Sequence, residues 1–171
     1  MLLTALVFIP LVGALLLAFF PKERVNAIRG FALAVSLIPL VLVALIWQRM
    51  DFSQPGMQLI TQAPWIPSLG IQYKLGVDGI SFPLIAVSAL VLPLSVLASY
   101  TITHRVKEFF LWMLVLQTAI YGVFTALDYF LFFIFFEASL VPMYFIIGIW
   151  GGPRKEYASL KFFIYTLLGS A

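Results

Sequence analysis

The sequence predicts an all-α polytopic membrane protein, with five transmembrane helices and the start of a sixth. Hydrophobic residues make up 63% of the chain and charged residues only 10%, which is too few to cover a surface that faces water. The apolar residues form long runs of about 20, the length that a helix needs to cross a bilayer. Most charges lie in the segments between these runs. We therefore interpret residues 1–171 as a single transmembrane domain.

Six apolar runs define the expected helices. They cover residues 2–20, 30–48, 80–100, 109–127, 129–150 and 157–171, the last one incomplete. The stretch 109–150 holds only two charges, Asp128 and Glu137, and as one helix it would be about 63 Å long, twice the hydrocarbon core of a bilayer. We place the break at Asp128, because aspartate is a good N-cap. The sixth run reaches only about 22 Å, so we expect the chain to be the N-terminal part of a longer polypeptide.

One long polar connection, residues 51–78, separates the second and third helices. Its many Gln, Pro and Gly residues predict a loop outside the membrane, with a short hairpin that pairs residues 57–65 with residues 71–75. We expect Gly76 and Gly79 to turn the chain towards the third helix, and Asp78 to cap that helix.

The basic residues predict the orientation of the helices. Seven of them fall in the first, third and fifth connections, and two, Arg49 and Lys74, fall in the second. By the positive-inside rule, the first set of connections is cytoplasmic, or lies on the matrix or stromal side in an organelle. The N-terminus and the 51–78 loop then lie on the outer side.

Composition also excludes several classes of function. The chain has no cysteine and a single histidine, His104, so disulfides, thiolate sites and His-based metal clusters are excluded within it. The basic residues form no stripe of the kind that binds nucleic acid. No phosphate-binding loop, dinucleotide fingerprint or nucleophile triad is present. We expect no cofactor or metal site in this chain.

Glu137 is the most informative residue, because it is the only charge between Asp128 and Arg154 and lies near the middle of the fifth run. A carboxylate at that depth is costly and is usually functional. The alternative is a protonated glutamate that joins two helices by hydrogen bonding. Lys161 lies about 8 Å into the sixth helix, too shallow for direct contact with Glu137. It either extends its amine to the interface or relays protons on the cytoplasmic side.

Other polar residues have structural explanations as well. For Asp128 we favour capping over a place in a proton path. Gln117, Thr118 and Tyr121 either hydrogen-bond across helices or line a wet cavity, the former being more common. His104 belongs to a polar loop and is expected to be solvated.

Two stretches resemble a known family. They are Tyr-Lys-Leu-Gly-Val-Asp-Gly-Ile-Ser at residues 73–81, and residues 129–170, which contain Phe-Glu-Ala-Ser-Leu-Val-Pro-Met and Ile-Trp-Gly-Gly-Pro-Arg-Lys-Glu-Tyr. In order and spacing they are similar to the M-type (subunit 4) membrane subunits of respiratory complex I, the proton-pumping NADH:quinone oxidoreductase. The resemblance covers essentially the whole chain.

The resemblance implies an antiporter-like subunit of about fourteen helices that translocates protons. In that family a Glu in the fifth helix pairs with a Lys in the seventh. Glu137 matches the Glu, and the Lys partner would lie beyond Ala171. Lys161 matches a Lys that recurs in the sixth helix.

The resemblance also implies where the chemistry is done. NADH (or ferredoxin), FMN, iron–sulfur clusters and quinone would be handled by partner subunits, which include neighbouring antiporter-like subunits. The complex would lie in the plasma membrane of a bacterium or in the energy-transducing membrane of an organelle. Two alternatives remain: a subunit of an Mrp-type sodium/proton antiporter, and a purely structural membrane subunit.

Overall fold

Six α-helices and one β-hairpin make up the fold in the computed structural model, which describes residues 1–170. In chain order they are α1 (Leu2–Ala18), α2 (Val25–Arg49), β1 (Gln58–Ile66), β2 (Ile71–Val77), α3 (Ser81–Ala98), α4 (Val106–Thr125), α5 (Tyr129–Trp150) and α6 (Lys155–Ser170). The two strands pair in antiparallel fashion, so the predicted hairpin is confirmed.

The apolar helices pack around α4. Four helices, α2 to α5, are long and apolar enough to cross a membrane, whereas α1 is apolar but has only 17 residues. The helix α4 contacts α1, α2, α3 and α5 and is the most buried of the four long helices. The predicted all-α membrane class is confirmed.

Several helices begin earlier than their apolar runs. The helix α2 starts at Val25 rather than at residue 30, α4 at Val106 rather than 109, and α6 at Lys155 rather than 157. Arg, Lys and Glu are good helix formers, so a helix continues through them beyond the apolar run. Arg29 therefore lies within α2, where its guanidinium donates a hydrogen bond to the carbonyl oxygen of Ile102 at 2.8 Å.

The odd-numbered connections meet at one end of the bundle. Lys107 Nζ donates to the carbonyl oxygen of Ala18 at 2.6 Å, which joins the start of α4 to the end of α1. Trp150 Nε1 donates to the carbonyl oxygen of His104 at 2.7 Å, which joins the end of α5 to the loop before α4. We call this end, formed by residues 19–24, 99–105 and 151–154, the basic end.

The hairpin lies at the opposite end and is anchored to the helices. Tyr73 Oη donates to Thr4 Oγ1 at 3.1 Å, and the backbone amide of Leu127 donates to the carbonyl oxygen of Lys74 at 2.8 Å. The strand β2 thus pairs with the short connection between α4 and α5. We call this end, formed by residues 50–80 and 126–128, the hairpin end.

Gly76 has a different role from the turn that we predicted. It lies inside β2, and a Cβ atom there would lie 2.5 Å from Leu127 Cδ1. The glycine is needed for the close approach of the α4–α5 connection, whereas the glycines with positive φ are Gly56 and Gly70.

Asp78 caps α3 as predicted. Its Oδ1 accepts hydrogen bonds from the backbone amides of Ile80 at 3.0 Å and Ser81 at 2.7 Å. In return, Ser81 Oγ accepts a hydrogen bond from the amide of Asp78 at 3.0 Å. This reciprocal arrangement satisfies amides at the helix N-terminus that have no partner within the helix.

Candidate functional site

Glu137 lies well inside α5 and is the only charged residue between Asp128 and Arg154. It is the only charged residue of α5, a helix of 22 residues. It lies about 12 Å from the hairpin end of that helix and about 20 Å from its basic end. Its side chain is half-buried. A carboxyl group at this depth is remote from bulk water at both ends of the helix.

One hydrogen bond connects Glu137 to the next helix. Ser170 Oγ of α6 donates to Glu137 Oε1. The two helices are antiparallel neighbours joined by the turn at residues 151–154. Counted from that turn, Ser170 lies about 22 Å along α6 and Glu137 about 20 Å along α5, so the two side chains share one depth.

Ser170 was not predicted from the sequence. Equal counts from the 151–154 turn along two antiparallel helices give only its depth, which is that of residue 137. The count does not say which face of α6 carries the hydroxyl, and that face is what makes the contact.

Lys161 is not brought to Glu137. It lies nine residues before Ser170, which is about 180° around α6, and only about 9 Å from the basic end of the helix. Within residues 1–170 the ion pairs do not include one between Lys161 and Glu137. Lys161 is exposed, and its Nζ lies 5.8 Å from the ring centre of Tyr157 and 5.7 Å from that of Tyr165.

Phe135, in the aromatic run before Glu137, packs against α4. The buried ring of Phe135 fits against Gly122, where a Cβ atom would lie 2.2 Å from Phe135 Cγ. After Glu137, Ser139 Oγ donates to the carbonyl oxygen of Phe136 at 2.6 Å, so this neighbouring hydroxyl is engaged with the backbone. Pro142 is buried inside α5.

Gln117 joins helices. Its side chain is buried, and Nε2 donates to Tyr121 Oη at 3.2 Å within α4 and to the carbonyl oxygen of Ser36 in α2 at 3.4 Å. Thr118 Oγ1 donates to the carbonyl oxygen of Leu114 in its own helix at 3.4 Å. These contacts support the interhelical hydrogen bond over the wet cavity for Gln117.

Asp128 caps α5 and also holds the hairpin. Its Oδ1 accepts from the backbone amides of Phe130 at 3.0 Å and Leu131 at 3.1 Å, and its Oδ2 accepts from the amide of Gln72 in β2 at 3.1 Å. The capping prediction is confirmed. The amide of Gln72, followed by that of Leu131, holds the pKa of Asp128 below its usual value, because these donors favour the charged carboxylate.

We expect Asp128→Ala to loosen both the start of α5 and its contact with the hairpin. The amides of Gln72, Phe130 and Leu131 lose their acceptor and should exchange hydrogen faster. Hydrogen exchange followed by mass spectrometry, peptide by peptide, measures this. Asp128→Asn keeps one amide oxygen as an acceptor and should protect the α5 amides more than alanine does.

The same contact has a defined pH dependence. A carboxyl group with a lowered folded pKa stabilises the protein fully above its unfolded pKa, about 3.9, and the contribution is lost as pH falls through the folded pKa. The protection of these amides, measured against the intrinsic exchange rate at each pH, should therefore fall only under acidic conditions. Unchanged exchange in Asp128→Ala at neutral pH would contradict the contact.

Comparison with known proteins gives the family. Residues 5–123 match the family described as NADH-ubiquinone oxidoreductase chain 4, amino terminus. The chain belongs to the NADH-ubiquinone oxidoreductase chain 4 family. The following residues, 126–171, match a second family, described as NADH:quinone oxidoreductase/Mrp antiporter, transmembrane. The resemblance drawn from the motifs at residues 73–81 and 129–170 is therefore confirmed.

Curated relatives agree with the chain 4 family. The chain is 40% identical over 169 residues to NAD(P)H-quinone oxidoreductase chain 4 1 of Synechococcus elongatus, a match that covers 98% of this chain and 32% of the relative. It is 41% identical over 174 residues to NADH-quinone oxidoreductase subunit M of Rhodobacter capsulatus, covering 99% and 33%. The chain thus spans about a third of the length of these relatives.

Solved structures share the fold. A chain of respiratory complex I from Thermus thermophilus with bound NADH matches with a TM-score of 0.81 at 27% identity, over 99% of this chain and 33% of that chain. A chain of the membrane-bound sulfane sulfur reductase, an archaeal respiratory membrane complex, matches with a TM-score of 0.78 at 19% identity, over 98% of this chain and 34% of that chain. The second likeness concerns the fold alone.

Proposed function

We propose that this chain belongs to a proton-translocating membrane subunit of an NADH (or ferredoxin):quinone oxidoreductase. The subunit couples electron transfer in other subunits to proton movement across the membrane, and Glu137 carries or modulates the proton. The chain spans about a third of the length of its relatives, so this activity is proposed for the whole protein of which the chain is part.

The position of Glu137 carries the proposal. A single carboxyl group lies at mid-depth in α5, with a hydroxyl of α6 as its hydrogen-bond partner. A titratable group at that depth is expensive to keep, and such groups mark ion and proton pathways. Membership in the chain 4 family supports assigning this group to proton transfer coupled to quinone chemistry.

The proposal extends to cofactors and partners. NADH, FMN, iron–sulfur clusters and quinone are bound by other subunits, and this chain contacts other membrane subunits, including antiporter-like neighbours, as well as lipid. The family membership and the apolar helices support a multi-pass membrane protein. We place it in the bacterial plasma membrane or an organelle energy-transducing membrane, with the basic end cytoplasmic and the N-terminus outside.

The second candidate is a subunit of an Mrp-type sodium/proton antiporter. The observation that favours it is the match of residues 126–171 to a family whose description includes Mrp antiporters. The two functions differ in coupling: the first needs quinone reduction, and the second exchanges sodium for protons without it.

The test is proton movement by the full-length protein in its native complex, in sealed vesicles. Under the first function, acidification driven by NADH or reduced ferredoxin is lost in Glu137→Gln. A sodium gradient alone that drives proton movement, together with no response to quinone reduction, would establish the antiporter function instead.

We place Lys161 in a secondary role on the other face of α6, as a relay near the basic end that does not touch Glu137. Lys161→Met should slow proton translocation by less than about tenfold, the equivalent of 1.4 kcal/mol. The effect is limited because water at the membrane interface can still deliver protons near the basic end. Lys161→Arg keeps the charge and serves as the matched control. Equal rates in Lys161→Met and the native complex would leave Lys161 as an interfacial residue with no part in the path.

A further inference from the structure

We infer that Ser170 is the positioning residue of Glu137 and that its hydroxyl serves both protonation states of this acid. This inference rests on the proposed function, since it concerns the same carboxyl group. The observation behind it is that Ser170 Oγ has two acceptors within reach: Glu137 Oε1, and the carbonyl oxygen of Leu167 at 3.0 Å.

A serine hydroxyl has one hydrogen and two lone pairs. It therefore donates to only one of these acceptors at a time, and it can accept a hydrogen bond while it donates to the other. Rotation about the Cβ–Oγ bond switches between the two arrangements without moving any heavy atom. The two contacts of Ser170 are two states of one rotor.

The states follow the proton on Glu137. When Glu137 is ionised, the Ser170 hydroxyl donates to Oε1, a charge-assisted hydrogen bond that stabilises the carboxylate. When Glu137 binds a proton, its own O–H donates to Ser170 Oγ, and the serine hydrogen turns to the carbonyl oxygen of Leu167. In each state the hydroxyl hydrogens of Glu137 and Ser170 that are present are hydrogen-bonded. The proton that Glu137 gains or loses is the only one that is transferred, because the serine hydrogen stays on Oγ.

This arrangement matters because the part of the chain that the structure describes offers Glu137 no second hydrogen-bond partner. Within residues 1–170, Ser170 is the one group that hydrogen-bonds the Glu137 side chain. The nearby hydroxyl of Ser139 donates to the backbone of its own helix. A carboxyl group that changes charge in apolar surroundings needs a partner in both states, because an unpaired one is costly in either.

The chain offers a matched control, Ser159. It lies on α6 eleven residues before Ser170, which is within about 20° of the same face. Its hydroxyl donates to the carbonyl oxygen of Glu156 at 3.0 Å, just as that of Ser170 reaches Leu167, but among residues 1–170 it hydrogen-bonds no carboxyl group. Removing either hydroxyl therefore costs α6 a similar side-chain-to-backbone contact.

The experiment compares Ser170→Ala, Ser170→Thr, Ser159→Ala and Glu137→Gln in the intact complex. The first readout is infrared difference spectroscopy of the carboxyl C=O stretch, with Glu137→Gln identifying the band of Glu137. The second is the rate of proton translocation per electron transferred in sealed vesicles. Alanine is a strong helix former, so α6 persists in both alanine variants.

We expect Ser170→Ala to move the Glu137 band to higher frequency and to slow proton translocation about tenfold, the loss of one hydrogen bond to a charged group. Ser170→Thr, which keeps a hydroxyl, should restore both, and Ser159→Ala should change neither. An unchanged Glu137 band and native translocation in Ser170→Ala would overturn the inference. So would equal slowing in Ser159→Ala, since that marks a merely structural effect on α6.

The proposed function and the role of Ser170 are contradicted by different outcomes. Full translocation by Glu137→Gln would overturn the proposed function itself. Loss of translocation in Glu137→Gln, combined with a native band and native rate in Ser170→Ala, would overturn only the role of Ser170.

Discussion

Replacing Glu137 with glutamine is expected to abolish proton translocation by the complex, the largest effect we expect from any single substitution in this chain. Glutamine has nearly the same shape and still accepts a hydrogen bond from Ser170, but it carries no proton that titrates. A positioned proton-transfer group accelerates transfer by roughly 100-fold or more, so the translocation rate should fall by at least that factor. Quinone reduction should fall with it, because the proposed function couples the two processes.

Two controls make this result specific. Glu137→Asp keeps the acid on a shorter side chain and should retain part of the activity. Glu156→Gln removes an exposed acid in the first turn of α6, near the basic end, and should leave translocation unchanged. Native translocation by Glu137→Gln would contradict the proposed function. A variant that assembles poorly while the assembled complex still pumps would identify Glu137 as a structural link between α5 and α6.

Introducing a side chain at Gly122 is expected to have the second-largest effect, on stability. The ring of Phe135 occupies the space of the missing side chain, with a Cβ atom at residue 122 lying 2.2 Å from Phe135 Cγ and 2.3 Å from Cδ1. Gly122→Val must therefore separate α4 from α5 or displace the ring. Such overpacking costs about 1–3 kcal/mol, and thermal unfolding of the purified complex in detergent should detect it.

A double substitution tests the cause. Phe135→Leu removes part of the ring, so Gly122→Ala combined with Phe135→Leu should be more stable than the two single effects predict when added. The matched control is Gly30→Ala, a helical glycine of α2 with no atom within 4 Å of the added Cβ. It should be neutral or slightly stabilising, because alanine favours helix more than glycine does. Equal destabilisation at residues 30 and 122 would contradict the packing explanation.

Some residues of the candidate site could be predicted from the sequence, and others could not. Glu137 was evident from the sequence, because a lone acid in an uncharged run of helical length is recognisable without coordinates. The cap by Asp128 was predictable too, since capping depends on a few adjacent residues. Ser170 was not, and neither was the second contact of Asp128 with Gln72, which is 56 residues away in the chain.

Gly76 was correctly singled out from the sequence, but the role predicted for it was wrong. Gly76 stood out in the family motif, and a turn was the obvious local explanation. The structure instead puts it in β2 against Leu127, a contact between segments that are distant in sequence. The role of Gly122 was not predicted, because its partner Phe135 belongs to another helix.

The membrane class, the helix order, the separation of the basic connections from the hairpin and the depth of Glu137 all follow from the order of the residues. These properties depend on hydropathy, charge and helical rise, which are read residue by residue along one segment. The packing of the helices shows in addition that α4 lies at the centre, that Ser170 faces Glu137 and that Lys161 lies on the side of α6 away from Glu137. The physical reason is that helices without amphipathic patterning are apolar on every face, so the sequence sets how deep a residue lies while interhelical packing sets which way it points.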